Sequence, residues 1–417
     1  MTATRRLREN IISLFTLQGV NYLLPLIILP YLVRVLGPGQ FGLIAFAQAL
    51  LQYFVVLTDY GFNLTATRDI AVHRDDAREV SEIFSTVIII KFGLMLMSLI
   101  AVTILVFAVP KFREQWPVYF VTFPLVVGQA LFPVWFFQGM ERMRYITGLN
   151  LSGRLLATIC VFVFVRDQSD VLLAAGLQAG GPTLTGVLGL CTVRLVAPIR
   201  LVRPSLEKTW ATLRDGWYVF VSQVSSALGA SSGTFVLGLF HGHQVVGYYS
   251  IAQKIVMASS QVTVQLGTAV YPRSSALFAQ AYDEAVRFIR KVLFFGGLLL
   301  LLVSSALFLS ADLIALYVTG EAGSPVGLLI RIMSGVIILS FVDNVYGTQI
   351  LLPLGMNKEF MKAILYPSIF FMATALLLAP AFAGVGTAVA VVASQTMVMV
   401  LMVLPVHRRG IKLHKST

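Results

Sequence analysis

Five charged side chains interrupt stretches of sequence that are otherwise apolar: Lys91, Lys254, Arg331, Asp59 and Asp343. Basic side chains form charge-assisted hydrogen bonds to phosphate oxygens, and a desolvated carboxylate can take up a coupling proton. A charge inside a membrane span is energetically expensive and is a functional candidate by default. These five residues are therefore the first candidates for a binding site.

Lys254 is the strongest of the basic candidates. At helical spacing it shares one stripe with Ala258, Gln261, Gln265 and Thr268. A polar stripe is unsuited to lipid and favours a place in a cavity. The alternative is that Lys254 snorkels to the headgroups, since it lies about 9 Å from the outer end of its predicted helix.

Amide side chains mark a hydrophilic path in three predicted spans. Gln48 and Gln52 lie one helical turn apart, and Asp59 follows on the same face. Gln18 in the first span and Gln223 in the seventh are further candidates for the cavity wall.

The remaining charges each admit a structural alternative. Asp59 could carry a coupling proton, but a helix-end pair with Arg68 is favoured. Arg331 could contact a phosphate or snorkel outward. Asp343 suits an ion-coupled site, or a pair with Lys91 or Arg331. Snorkelling is favoured for Lys91, which lies in the cytoplasmic third of its predicted span.

The composition requires these residues to lie in a membrane. Of 417 residues, 57% are hydrophobic and 12% are charged, and the mean hydropathy is +0.84. Soluble domains carry about 25% charged residues. The composition excludes disordered, collagenous, disulfide-scaffold and typical nucleic-acid-binding proteins. The sequence has no CxxC, HExxH or P-loop motif, and we expect no metal and no cofactor.

A membrane helix needs about 20 apolar residues. The sequence predicts twelve such spans, namely 11–33, 41–60, 83–109, 118–137, 146–165, 171–193, 217–240, 248–271, 292–309, 326–352, 363–381 and 385–406. With the N-terminus inside, 24 of the 31 Lys and Arg residues fall in inside segments and four fall outside. This asymmetry predicts that both termini are cytoplasmic, and it explains the net charge of +12 as a topology signal.

The two halves of the chain look related. A shift of 205 residues places Gly37 on Gly242 and Gly42 on Gly247, and the flanking spans then match without a gap. We therefore predict two six-helix bundles, residues 1–200 and 201–417, as parallel repeats around a central cavity.

Several motifs resemble one family. They are the segment from Asn10 to Gly42, Asp59-Tyr60-Gly61-Phe62-Asn63, Trp135-Phe136-Phe137-Gln138-Gly139-Met140, and Ala252-Gln253-Lys254-Ile255. They resemble the polysaccharide-transport family of bacterial flippases, the Wzx type. This family is part of the superfamily that contains multidrug exporters and the peptidoglycan-precursor flippase.

The resemblance implies an all-helical, V-shaped exporter fold in the bacterial inner membrane. It implies that the protein moves undecaprenyl-pyrophosphate-linked oligosaccharide to the periplasmic leaflet, for O-antigen, capsule or exopolysaccharide assembly. A proton or sodium gradient could drive the cycle, and a polysaccharide polymerase and a chain-length regulator are possible partners. The basic candidates would then hold the pyrophosphate.

Three alternatives stay open at this point. An ion-coupled drug exporter of the same fold would favour an acidic or aromatic cavity. A peptidoglycan-precursor flippase usually has more than twelve spans. A polymerase or ligase of the pathway tends to carry a large periplasmic loop with acid/base residues, whereas the predicted outer loops here are short. We therefore expect a transporter and not an enzyme.

Overall fold

The computed structural model describes residues 24–224 and 232–409 in full, and the backbone alone for residues 3–23 and 225–230. The described residues form helices joined by loops, with no β-strand. In a bilayer a helix satisfies its own backbone hydrogen bonds, which is why this architecture suits so apolar a sequence. The helices divide into two compact units, Met1–Ala227 and Leu228–Thr417.

Among the residues that the structure describes, the first unit contains ten helices, the last of which runs past Ala227, and one 3₁₀ turn, Gln168–Asp170, between α8 and α9. The helices are α1 (Ala3–Asp59), α2 (Phe62–His73), α3 (Ala77–Ala108), α4 (Pro110–Arg113), α5 (Trp116–Thr122), α6 (Pro124–Leu131), α7 (Val134–Gly139), α8 (Met143–Phe164), α9 (Val171–Val196) and α10 (Leu206–Ala230).

The second unit contains the last seven helices and a π-helical turn, Gly347–Leu351, between α16 and α17. The helices are α11 (Ser232–Phe240), α12 (His243–Gln280), α13 (Tyr282–Leu309), α14 (Ala311–Thr319), α15 (Pro325–Ser334), α16 (Val336–Tyr346) and α17 (Asn357–Arg408).

Each of the two longest helices is divided by a break into two, which gives the four spans that the sequence predicts there. Gly37 has a φ of 76° inside α1, and Ala383 has a φ of 50° inside α17, so each helix is two helices joined at a kink. The first break separates predicted spans one and two, and the second separates spans eleven and twelve. The repeat places Gly37 on Gly242, and Gly242 caps the start of α12 in the second unit.

Prolines divide the predicted fourth span. The sequence predicts one helix over 118–137, but the structure has α5, α6 and α7 there. Pro124 begins α6, and Pro133 lies in the two-residue gap before α7. A proline has no backbone N–H to donate and clashes with the preceding turn, which ends each helix at that point.

Eight segments of the fully described residues are long and apolar enough to cross a membrane, and two of them are the kinked stretches 24–73 and 357–408. Predicted span eight, within α12, is helical but is not among the eight, because glutamines, serines and Lys254 dilute its apolar residues. Predicted span seven includes residues 225–231, which lie outside the described side chains. The chain is a multi-pass membrane protein.

Close backbone contacts hold α8 to α9 in the first unit. A Cβ atom built on Gly153 of α8 would collide with the Thr185 hydroxyl and would lie 2.8 Å from the carbonyl oxygen of Gly181. The Thr185 hydroxyl donates hydrogen bonds to Gly181 and, at 3.3 Å, to Leu149. Small residues at such contacts let membrane helices approach closely.

Candidate functional site

The first unit gathers its polar side chains where α1 ends. Asp59 is the last residue of α1, and Tyr60 and Gly61 follow with φ angles of 47° and 83°. These left-handed conformations stop the helix and allow α2 to begin at Phe62. Glycine is required at position 61, since a Cβ there would lie 2.6 Å from a methyl group of Val219.

Lys91 of α3 reaches this point from inside the apolar unit. Its Nζ lies 3.7 Å from Oδ1 of Asp59 and donates a hydrogen bond of 3.3 Å to the Gln129 carbonyl oxygen. The Lys91 side chain is only 2% exposed, and that of Asp59 is 19% exposed. The prediction that Lys91 snorkels is wrong, because a buried carboxylate and a backbone carbonyl satisfy its ammonium group.

Two amides complete the environment of the carboxylate. The Nδ2 of Asn63 donates to Oδ1 of Asp59 at 2.9 Å, and Gln223 of α10 hydrogen-bonds to the same carboxylate. We call Asp59, Asn63, Lys91 and Gln223 the Asp59–Lys91 cluster. The favoured pair of Asp59 with Arg68 is not formed, because Arg68 bonds to its neighbour Asp69 at 2.9 Å.

The cluster has an unusual electrostatic balance. A carboxylate at a helix C-terminus lies at the negative end of the helix dipole, where it is disfavoured and a cation is favoured. The Lys91 ammonium group compensates both the carboxylate and the dipole. A buried pair of this kind is costly to break, since removal of one partner leaves an uncompensated charge. The cluster therefore holds a cation at a fixed point beside Asp59.

The other predicted amides of the first unit lie on α1 and α9. Gln48 is partly buried, and its Nε2 donates to Oε1 of Gln178 at 3.3 Å. Gln52 is partly buried one turn further along α1. The side chain of Gln18 lies outside the described residues. Gln48, Gln52 and Asp59 thus span twelve residues of α1, with Asp59 in the cluster.

In the second unit, the predicted stripe of α12 is only partly buried. Lys254, Gln261 and Gln265 are half-buried, whereas Thr268 is exposed. The neighbouring Gln253 accepts a hydrogen bond of 2.8 Å from the Thr234 hydroxyl of α11. Only Thr268, at the far end of the stripe from Lys254, is exposed.

Arg331 and Asp343 do not meet each other. The guanidinium group of Arg331 pairs with Asp312 at 2.6 Å and lies 6.0 Å from the ring of Phe308. The pair is well exposed, at 39% and 67%. Asp343 of α16 instead accepts a hydrogen bond from Gln395 of α17. Neither of the basic partners considered for Asp343 is used, because Lys91 and Arg331 are both paired with other carboxylates.

Sequence reasoning missed three polar residues of these sites. Asn63 stands in one of the quoted motifs, and its spacing of four from Asp59 on successive helices is a usable signal. Gln395 lies 52 residues from its partner Asp343, and no local pattern indicates the contact. Gln349 is fully buried, donates to the Gly267 carbonyl and accepts from Ser274, which ties the π-helical turn to α12.

Sequence comparisons with known proteins identify relatives of this chain. The sequence profile of the family described as "Polysaccharide biosynthesis protein" matches residues 7–278. A protein of Escherichia coli (strain K12) that carries the name of an O-antigen transporter is 32% identical over 398 residues, which cover 95% of this chain and 96% of that protein.

Solved structures share the fold at low sequence identity. The lipid II flippase MurJ in an inward closed conformation aligns with a TM-score of 0.73 and 12% identity, over 95% of this chain and 87% of that one. An inward-facing multidrug resistance transporter of the MATE family and MOP superfamily aligns with a TM-score of 0.68 and 14% identity, over 98% and 100% of the chains. The profile match and the near full-length relative confirm the resemblance found in the sequence, and the chain belongs to the polysaccharide biosynthesis protein family, with the MOP exporter fold.

Proposed function

We propose that the chain is a flippase that moves undecaprenyl-pyrophosphate-linked oligosaccharide from the cytoplasmic to the periplasmic leaflet. The observation that carries this proposal is the buried Lys91 ammonium group in an apolar, multi-pass protein. A pyrophosphate-linked sugar needs a cation for its phosphates and a hydrophilic path for its glycan, while its prenyl chain can stay in the lipid. The name of the Escherichia coli relative supports the same substrate class.

The Asp59–Lys91 cluster suggests how an anionic substrate would be bound. The ammonium group is 3.7 Å from Asp59, so the pair is loose, and a pyrophosphate could displace the carboxylate as its partner. Asn63 and Gln223 would keep the released carboxylate hydrogen-bonded. In the first unit, Gln48 and Gln52 on α1 would contact the glycan, and in the second unit the Lys254 stripe on α12 would do so. Alternating access requires at least two states with different affinities for the substrate.

Ion coupling and location complete the proposal. A gradient of H⁺ or Na⁺ would drive the cycle through Asp59 or Asp343, each of which is a partly buried carboxylate. The protein would work without a cofactor in the bacterial inner membrane, with both termini cytoplasmic. Its product would pass to a polysaccharide polymerase and a chain-length regulator.

Complementation of a strain that lacks the gene tests the role of the buried cation. We expect Lys91→Gln to abolish delivery of lipid-linked repeat units to the periplasmic leaflet at normal protein levels, since an amide cannot replace the charge. The matched control is Arg287→Gln, which removes an exposed cation of α13 and should leave delivery unchanged. Normal delivery by Lys91→Gln would remove Lys91 from the mechanism.

A drug exporter of the same fold is the competing function, and the likeness to a MATE transporter supports only the fold. The same strain distinguishes the two functions. Loss of periplasmic repeat units with unchanged sensitivity to cationic drugs is expected for a flippase. The reverse pattern would indicate an exporter.

The coupling proposal has its own test in proteoliposomes. Asp343→Asn keeps an oxygen that can accept the Gln395 hydrogen bond but removes the charge. We expect wild-type transport to rise with an imposed H⁺ or Na⁺ gradient and Asp343→Asn transport to be insensitive to it. A variant that responds to the gradient as the wild type does would exclude Asp343 as the coupling site.

A further inference from the structure

An apolar groove of about 500 Å³ opens on the first unit, and none of the residues proposed to bind substrate lines it. Its walls are Phe84 and Ile88 of α3, Leu190 and Arg194 of α9, and Ile199 and Leu201 of the connection to α10. We call it the linker groove, and the non-helical residues 197–205 the linker. The groove has the size of a small-molecule pocket, for which about 300–1,000 Å³ is typical.

The linker is fixed to α3 by its backbone. The amide of Arg200 donates to the hydroxyl of Ser81 at 3.2 Å, and the amide of Val202 donates to the hydroxyl of Ser85 at 3.0 Å. Both serines are almost fully buried. Beyond the linker, Lys208 pairs with Glu82 at 2.6 Å. These hydrogen bonds and this ion pair therefore hold the linker in place as one wall of the groove.

Arginines lie on the segments that form the groove. Arg194 lines it, Arg200 lies between the lining residues Ile199 and Leu201, and Arg203 follows on the linker. All three are exposed, and within the described part of the chain their side chains make no ion pair. The Lys and Arg distribution predicts that this segment lies at the cytoplasmic surface. An apolar groove with an exposed arginine in its lining and another between two lining residues matches a ligand with an acyl chain and an anionic headgroup. Basic pockets at the cytoplasmic ends of membrane helices bind anionic lipid headgroups in this way.

We propose that the linker groove binds an anionic phospholipid of the cytoplasmic leaflet, with an acyl chain against Phe84 and Leu190 and the headgroup phosphate at Arg194 and Arg200. The exposure of these arginines, in contrast to the buried Lys91, fits a headgroup at the membrane surface better than a translocated pyrophosphate. The proposal does not depend on what the protein transports.

Two native cysteines allow a direct test within one chain. Cys191 lines the groove, and Cys160 lies on α8 outside it. The full-length protein is reconstituted in vesicles of phosphatidylglycerol or of phosphatidylcholine with the same acyl chains. We expect N-ethylmaleimide to modify Cys191 more slowly in phosphatidylglycerol, with no change at Cys160. Equal Cys191 rates in both vesicles would overturn the proposal.

Native mass spectrometry of the same protein measures the bound lipid itself. We expect retained phosphatidylglycerol in the wild type, and a decrease of roughly fivefold for each of Arg194→Gln and Arg200→Gln, as a basic side chain near the membrane surface contributes that much. Arg408→Gln, an exposed cation at the end of α17, is the control and should retain the lipid. Undiminished phosphatidylglycerol in the variant that combines Arg194→Gln and Arg200→Gln would overturn the assignment to a phospholipid. Displacement of the bound phosphatidylglycerol by stoichiometric undecaprenyl phosphate would also overturn it.

Discussion

At the scale of the residue, one lysine amine sits where an apolar sequence offers few partners. Lys91 is satisfied by Asp59 and by the Gln129 carbonyl, and both contacts exceed 3.2 Å. The ammonium group is thus held in position by two long contacts and not by short hydrogen bonds. This arrangement distinguishes the cluster from the exposed Arg331–Asp312 pair, whose nitrogen and oxygen are 2.6 Å apart. This difference is why the proposed function assigns the substrate anion to the cluster and not to the Arg331–Asp312 pair.

Neutralising the pair should separate its structural role from its functional role. Lys91→Met leaves a buried carboxylate, and we expect the free energy of unfolding to fall by about 3–5 kcal/mol. The double variant Lys91→Met with Asp59→Asn removes both charges and keeps an acceptor for Asn63, so most of that stability should return. Chemical denaturation of the purified protein measures both changes.

Transport gives the second half of this test. The stable double variant should be as inactive in complementation as Lys91→Met, because the cation is still absent. Lys208→Met removes an exposed ion pair, for which a loss of about 0–1 kcal/mol is expected, and it serves as the stability control. Full transport by the double variant would show that the pair has only a structural role.

The partners of these residues could be predicted only where they are close in sequence. Helical spacing correctly placed Gln48, Gln52 and Asp59 along one helix, and the apolar flanks placed Lys91 within a helix that is long and apolar enough to cross a membrane. The choice of Arg68 over Lys91 for Asp59 failed for a physical reason. Arg68 can reach water and its neighbour Asp69, whereas Lys91 is almost fully buried and pairs with a largely buried carboxylate.

At the scale of the element, helix breaks decide where polar groups meet. Residues Tyr60 and Gly61 stop α1, and the close approach of Val219 there brings α10 near enough for Gln223 to reach Asp59. Hydropathy predicted the apolar helices well, because burial in lipid and burial in protein both select apolar residues. It also placed a gap between spans eleven and twelve at residues 382–384, where Ala383 breaks α17, but it could not predict the break at Pro133, since this depends on local backbone geometry.

Two glycines of α8 give a matched test of helix packing. Gly153 faces Thr185 and the Gly181 carbonyl of α9, whereas a Cβ on Gly148 would meet nothing within 4 Å. We expect Gly153→Ala to lower the free energy of unfolding by about 1–3 kcal/mol through overpacking. Gly148→Ala should raise it by about 0.5–1 kcal/mol, because alanine favours the helix. Thermal unfolding in detergent compares the two, and equal shifts would contradict the close packing of α8 on α9.

At the scale of the whole molecule, the distribution of charge specifies a topology. The inside segments carry 24 Lys and Arg residues, among them the arginines around the linker groove. Both the cytoplasmic termini and the surface position of that groove rest on this prediction. The same distribution of Lys and Arg therefore also predicts which side of the membrane the proposed sites face.

Cysteine labelling in intact cells tests this orientation. In a background with Cys160→Ser and Cys191→Ser, we expect Ala322→Cys, in the loop between α14 and α15, to react with a membrane-impermeant maleimide. Asp75→Cys, in the loop between α2 and α3, should react only after the membrane is permeabilised. Labelling of Asp75→Cys in intact cells would invert the topology.

The central claim is that this chain moves a lipid-linked oligosaccharide across a bilayer, and the sidedness of that lipid measures it most directly. The purified protein is placed in vesicles containing undecaprenyl-pyrophosphate-linked repeat units, and the fraction of glycan that an external glycosidase can reach is followed over time. We predict that this fraction rises toward completion with the wild type and stays at the level of the outer leaflet with Lys91→Gln. Equal accessibility in wild-type, variant and protein-free vesicles would contradict the account.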